Sequence, residues 1–264
     1  MQRKMIKHRV QASIKSISAR FGLDVYRKKS TIQNKIYNQN WVYVELIGPS
    51  GVGKTTLLNS ISYMPDNNWA GREDLMKLTT HAAKSLGSSS SVYSRLLSFK
   101  VNSITEKEYS FYQLNRLIKY MIQVLEADFI MSRGVYQRYL FDEGIFHNFR
   151  TEIQNLGKTE LSQLLKNRAF VFVEASPEAI VSNIRKRQGD LAEPDQNPNH
   201  IGKSDEDLEQ EAIRSLGLNR KLQEFLAKSG SKTVIVNSLD LKQGASDVEN
   251  FINEIKPPRS SDCS

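Results

Sequence analysis

The stretch "VYVELIGPSGVGKTTLLNS", residues 42–60, decides the fold. Val42 to Ile47 form an apolar, β-rich run and the second half is helix-forming, so the glycines between them fall in a strand-to-helix turn. Gly48, four residues, then Gly53, Lys54 and Thr55 match the spacing of a phosphate-binding loop. The glycines let backbone N–H groups curl around an anion, and the helix N-terminus adds partial positive charge. Lys54 is placed to reach β- and γ-phosphates and Thr55 to ligate Mg²⁺. The expected nucleotide-binding set is Gly48, Pro49, Ser50, Gly51, Val52, Gly53, Lys54, Thr55 and Thr56. A glycine-rich turn that only caps a helix is the plainer reading, and the apolar run before the loop speaks against it.

Working outward, 264 residues suffice for one α/β domain with appendages. The formal net charge of +8 is concentrated at the start of the chain. Residues 1–29 hold nine Lys or Arg against Asp24 alone, which leaves 28 basic and 28 acidic residues in 30–264. A neutral body offers no basic groove, so nucleic acid is not an expected partner. The single cysteine, Cys263, excludes an intramolecular disulfide framework and a Cys-rich metal site, as in a reducing compartment. No run approaches eighteen apolar residues, and the N-terminus lacks the continuous apolar region of a secretory signal. A cytoplasmic protein is expected.

Residues 1–40 read as a basic N-terminal segment with a polar connector. Ile6, Val10, Ile14, Ile17 and Phe21 recur at helical spacing with bases on the flanks, which predicts a basic amphipathic helix. Three readings stay open for residues 1–29: docking on an anionic membrane surface, packing on the body, or a transit-peptide-like leader. The body is expected over 41–258, with a polar tail at 259–264.

Along the body, "PDNNWAGRED" breaks the pattern after the loop helix, and 72–131 is mostly helical in period, with "GSSSS" as an interruption. "RYLFDEG", 138–144, reads as a short strand ending in Asp142, Glu143 and Gly144. "NRAFVFVEASPEAIVSNIRKRQGD" reads as a buried strand, a turn through Pro177 and a helix with a basic end. A polar stretch at 188–206 precedes a helix with Ser204 as its cap and Gly230 near its end. "SKTVIVNSLD" is a further strand and "ASDVENFINEI" a closing helix. Strands alternating with helices predict a parallel sheet covered on both faces.

A phosphate-binding loop needs an acid from another strand end to fix Mg²⁺ and to orient or deprotonate the attacking group. Asp142 and Glu143 are the candidates, Asp142 first as base or metal ligand, with the two roles exchangeable. Arg185 and Arg187 in "IRKRQGD" are candidates for charge on the transferring phosphoryl group, although bases at a helix C-terminus also serve its dipole. Arg133 and Arg138 are candidates for holding an anionic acceptor, and Arg72 is a weaker one.

"GPSGVGKTT", "LFDEG", "VFVEASPEAIVSNIRKR" and "TVIVNSLD" together resemble the nucleoside and nucleotide kinase group of P-loop proteins, with the layout of thymidylate kinase or deoxynucleoside kinase, over about 41–256. The resemblance implies an α/β, three-layer α/β/α P-loop NTPase fold with a central parallel sheet of about five strands, to which this chain adds the N-terminal basic helix. It also implies ATP and Mg²⁺, a helical acceptor region before the "DEG" strand, an Arg-bearing lid at about 185–206, and adenine contacts near Asn237 to Asp240. Asp142-Glu143 stands where those enzymes carry Asp-Arg or Glu-Arg-Ser, so the small-molecule acceptor is left open among nucleosides, nucleotides and sugar or glycan precursors. "ARFGLDVYR" resembles leader stretches of bacterial surface-polysaccharide biosynthesis proteins, which raises the last of these. The rivals are a partner-coupled ATPase, supported by the Asp-Glu pair, and a GTPase switch, opposed by Ser238 where a guanine-reading lysine belongs. ATP or GTP preference and oligomeric state stay open.

Overall fold

A computed structural model describes residues 42–62, 91–105, 109–132, 138–190 and 200–255. The N-terminal segment, the polar tail, Arg72, Arg133 and residues 191–199 of the expected lid lie outside the described residues. The described residues belong to two compact units, one holding 91–132 and the other holding 42–62 and 138–255.

The second unit is built on a sheet of β1 (Val42–Ile47), β2 (Arg138–Asp142), β3 (Arg168–Glu174) and β4 (Lys232–Asn237), in the order β2-β1-β3-β4. All pairings are parallel, with Glu45 opposite Phe141 on one side and Phe170 on the other. The expectation of about five strands is corrected to four among the described residues. Only four apolar, β-rich runs stand in the sequence, and the fifth came from the resemblance alone.

Alternation gives the sheet two unlike faces. Val44, Leu46, Leu140, Val171 and Val173 form an aliphatic face, covered by Leu57 and Ile61 of α1 (Lys54–Ser62) and, from the far end of the chain, Val248. Tyr43, Tyr139, Phe141, Phe170 and Phe172 form the opposite face. It is met by α4 (Ile145–Asn148), whose Phe146 ring lies 4.7 Å from that of Phe170. Each such side chain contributes about 1.5–3 kcal/mol when fully buried. Helices on both faces make this a three-layer α/β/α unit.

After α4 come α5 (Arg150–Gln154) and α6 (Lys158–Leu165), and β3 leads into α7 (Pro177–Asp190). The next helix, α8 (Asp205–Lys228), starts as expected at Ser204, whose side chain accepts from the Asp207 N–H while Asp207 reaches back to the Ser204 N–H. The closing helix α9 (Leu241–Glu254) begins earlier than its sequence pattern suggests, because Asp240 caps the Gln243 N–H at 3.0 Å.

The first unit is an antiparallel pair, α2 (Ser91–Thr105) and α3 (Phe111–Ser132). Val101 and Ile104 pack with Leu114 and Ile118 near the turn, and Tyr93 Oη donates to the buried Asp128 Oδ2 at 2.8 Å at the other end.

Candidate functional site: a phosphate-binding loop and two acids

The loop after β1 turns because Gly51 and Gly53 take φ of +83° and +98°, a region that side chains with a Cβ rarely adopt. At Gly51 a Cβ would also lie 2.7 Å from Ile184 Cγ1 of α7, so the residue is fixed by space as well as by conformation. The loop's carbonyls are engaged from several directions. Lys54 Nζ donates to the Gly48 and Pro49 carbonyls, each at 2.8 Å. Asn183 Nδ2 of α7 donates to the Gly51 carbonyl at 2.9 Å, and Ser238 Oγ, just past β4, donates to that of Val52.

Both acids of the "DEG" stretch reach this loop. Thr55 Oγ1, in the first turn of α1, donates to Asp142 Oδ2 at 3.2 Å. Glu143 Oε1 stands 3.3 Å from Lys54 Nζ. Lys54 is buried and Glu143 one-third exposed, so the pair sits at the mouth of the loop. Burial pushes the Lys54 ammonium below its ordinary pKa; Glu143 chiefly, then Asp142, push it back, and Arg187 adds to the depression. Glu143 itself takes a φ of +58°. Its N–H donates to the Leu46 carbonyl at 3.3 Å, and its own carbonyl accepts from Asn148 Nδ2 at 2.6 Å.

The donor set fits Mg²⁺. Octahedral coordination at about 2.1 Å places neighbouring ligand atoms about 3 Å apart, and this ion keeps several waters. Thr55 Oγ1 and Asp142 Oδ2 are hard oxygens at that separation. One carboxylate and one hydroxyl, with waters and phosphate oxygens completing the shell, is a donor set this ion accepts.

The two candidate arginines of α7 separate. Arg185 is taken up by Asp205 Oδ1 at 2.7 Å, the Lys203 carbonyl at 2.7 Å and Gln188 Oε1 at 2.9 Å, so it ties α7 to the start of α8. Arg187 is exposed, and its charge is the smallest of the influences on the Lys54 ammonium. Arg138 is not brought to the site: it pairs with Val42 at the opposite end of β2, four residues or about 13 Å of strand from Asp142. Of the expected site residues, Arg138 therefore stands apart from Asp142 and Glu143. Arg133 lies outside the described residues.

Sequence reasoning missed Asn183 and Glu45. Asn183 carries no motif signal, being one polar residue in an amphipathic helix. Glu45 is a fully buried acid inside an apolar strand, and that breach of pattern was its available signal.

No family model and no curated protein matches this chain. Among solved structures it is similar to shikimate kinase from Bacteroides thetaiotaomicron, at 15% identity over 80% of this chain and 98% of that one, with a TM-score of 0.42. It is also similar to deoxyadenosine kinase from M. mycoides, at 15% identity over 81% and 100%, with a TM-score of 0.37. An uncharacterized protein from Eubacterium ventriosum is similar at 8% identity over 81% and 98%, with a TM-score of 0.38. At such identities the function has to be read from the site itself.

Proposed function

We propose that the chain is an ATP- and Mg²⁺-dependent phosphotransferase acting on a small hydroxyl- or phosphate-bearing acceptor such as a nucleoside, nucleotide or sugar precursor. The observation that carries this is the convergence of Lys54, Thr55, Asp142 and Glu143 at one loop mouth, with Thr55 and Asp142 3.2 Å apart and Lys54 and Glu143 3.3 Å apart. The Gly48–Thr56 loop takes the phosphates, and Lys54 gives up carbonyl contacts for β- and γ-phosphate oxygens. Thr55 and Asp142 would hold Mg²⁺, which supplies charge neutralisation between the phosphates when bound. Glu143, directed at the ammonium rather than at Thr55, is the better placed acid to accept the proton of an attacking hydroxyl. That exchanges the first sequence assignment, with Asp142 taking the metal role. Of the two arginines of α7, Arg187 is the one left for the transferring group, and Arg185 acts by holding α7 in place.

The placement of Glu143 also supports a second reading, a partner-coupled ATPase in which this carboxylate polarises water. ATP consumption with Mg²⁺ across nucleosides, nucleoside monophosphates, sugars and sugar phosphates separates the two. One acceptor that stimulates consumption and gains phosphate establishes the kinase; basal hydrolysis that none stimulates establishes the ATPase.

No helix among the described residues is long and apolar enough to cross a membrane. The basic, amphipathic residues 1–29 support a peripheral association of a cytoplasmic protein with an anionic bilayer. Co-sedimentation with anionic vesicles should fall when that segment is deleted, and equal binding by both forms would end this reading.

A further inference from the structure

Glu45 is fully buried in the middle of β1, among Tyr43, Phe141, Phe146 and Phe170. Packing does not call for a carboxylate there, and one left without partners is strongly destabilising. Both of its oxygens accept hydrogen bonds. Oε1 accepts the His147 N–H at 2.8 Å; Oε2 accepts the Phe146 N–H at 3.3 Å and the Tyr43 hydroxyl at 3.1 Å.

Both amides lie in the first turn of α4, whose N-cap residue is Gly144 and which has no capping side chain of its own. Glu45 supplies from the neighbouring strand what a capping residue supplies locally. The turn in question begins immediately after Glu143. Asn148, at the far end of α4, grips the Glu143 carbonyl, so α4 holds Glu143 and Glu45 holds α4. Gly144 leaves no slack, since a Cβ there would lie 2.6 Å from Glu45 Cδ.

We propose that Glu45 is the positioning residue for the Glu143 carboxylate: by anchoring the first turn of α4 from β1, it fixes the Glu143-Gly144 turn and keeps Glu143 on Lys54. Glu45 is fully buried and so acts through Glu143 rather than on a ligand itself. The activity arm of this proposal rests on the phosphotransfer reading; its structural arm does not.

The test uses the full chain as Glu45→Gln, Tyr43→Phe, Glu143→Gln, the double variants of each of the first two with Glu143→Gln, and Lys54→Ala. Glutamine presents an NH₂ where a donor must be accepted, whereas Tyr43→Phe removes one hydroxyl and keeps the ring. Amide hydrogen exchange is read at residues 143–148, alongside Mg²⁺-ATP consumption. In Glu45→Gln the Phe146 and His147 amides should exchange about 10-fold faster or more, with β3 amides unchanged. Turnover should fall about 10–100-fold with KM for ATP held within about twofold. In the Glu143→Gln background the same substitution should change turnover less than about twofold, because its effect runs through Glu143. Tyr43→Phe should act in the same direction and more weakly, and it carries the cycle should Glu45→Gln fail to fold.

Unchanged exchange at 146 and 147 overturns the proposal, as does an equal loss of turnover with and without the Glu143 carboxylate, the mark of a merely structural role. Wild type and Lys54→Ala consuming ATP equally would instead remove the phosphotransfer reading, and exchange at 143–148 would then decide the anchoring by itself.

Discussion

Lys54 and Glu143 meet across 3.3 Å at the mouth of the loop, and the same ammonium donates to the carbonyls of Gly48 and Pro49. Its three N–H directions are thus filled by two neutral acceptors and one charged one, and burial of the lysine makes each of them matter. Lys54→Ala should lower ATP turnover by about 100–1000-fold and weaken Mg²⁺-nucleotide binding, read by ATP consumption and by titration with a fluorescent nucleotide. Full turnover in this variant would remove Lys54 from the site.

Thr55 and Asp142 make a separable prediction. Asp142→Asn keeps the shape and one acceptor oxygen for Thr55 but removes the charge that draws a divalent ion. The Mg²⁺ concentration at half-maximal turnover should rise about 10–100-fold, while nucleotide binding measured in chelator should stay unchanged. An unaltered Mg²⁺ dependence would transfer the metal role elsewhere.

Gly144 is constrained by space. A Cβ at this position would stand 2.1 Å from Tyr43 Oη and 2.6 Å from Glu45 Cδ, both in the core. Gly144→Ala should therefore destabilise the sheet-bearing unit by about 1–3 kcal/mol, seen as a lower midpoint of thermal unfolding. A midpoint equal to wild type would mean that the Tyr43 and Glu45 side chains yield at no cost.

The parts of this site legible in the sequence are those whose partners are near in the chain or fixed by a motif. The Gly48 to Thr55 spacing, the four apolar runs and the Ser204 cap are local signals, and each has the structural consequence its pattern implies. Arg185 and Arg187 lie in one basic cluster and read alike; only the fold sends the first to Asp205 and leaves the second exposed. Arg138 and Asp142 share a five-residue strand, yet a strand separates its ends by more than a side chain's reach. Glu45 stands out as an acid in an apolar strand, but what it binds was illegible for another reason. Two of its partners are backbone amides about a hundred residues away, and backbone amides carry no sequence identity.

The helical unit carries its own pH signature in Glu126 of α3, whose carboxyl is pushed up from 4.5 to about 7 by burial, with no charged partner as a cause. The folded form then holds a proton that the unfolded chain has released between about pH 4.5 and pH 7, so stability falls as pH rises through that window. The raised carboxyl favours the fold in acid and opposes it once ionised. Glu126→Gln removes the ionisation and keeps the shape. Its thermal midpoint should exceed that of wild type at pH 8 by more than it does at pH 5, and the exchange of Val101 and Ile118 amides should slow at pH 8 in the variant. Those two residues report on this unit because they pack between α2 and α3. The same difference from wild type at both pH values would show that Glu126 meets no desolvation in the folded chain.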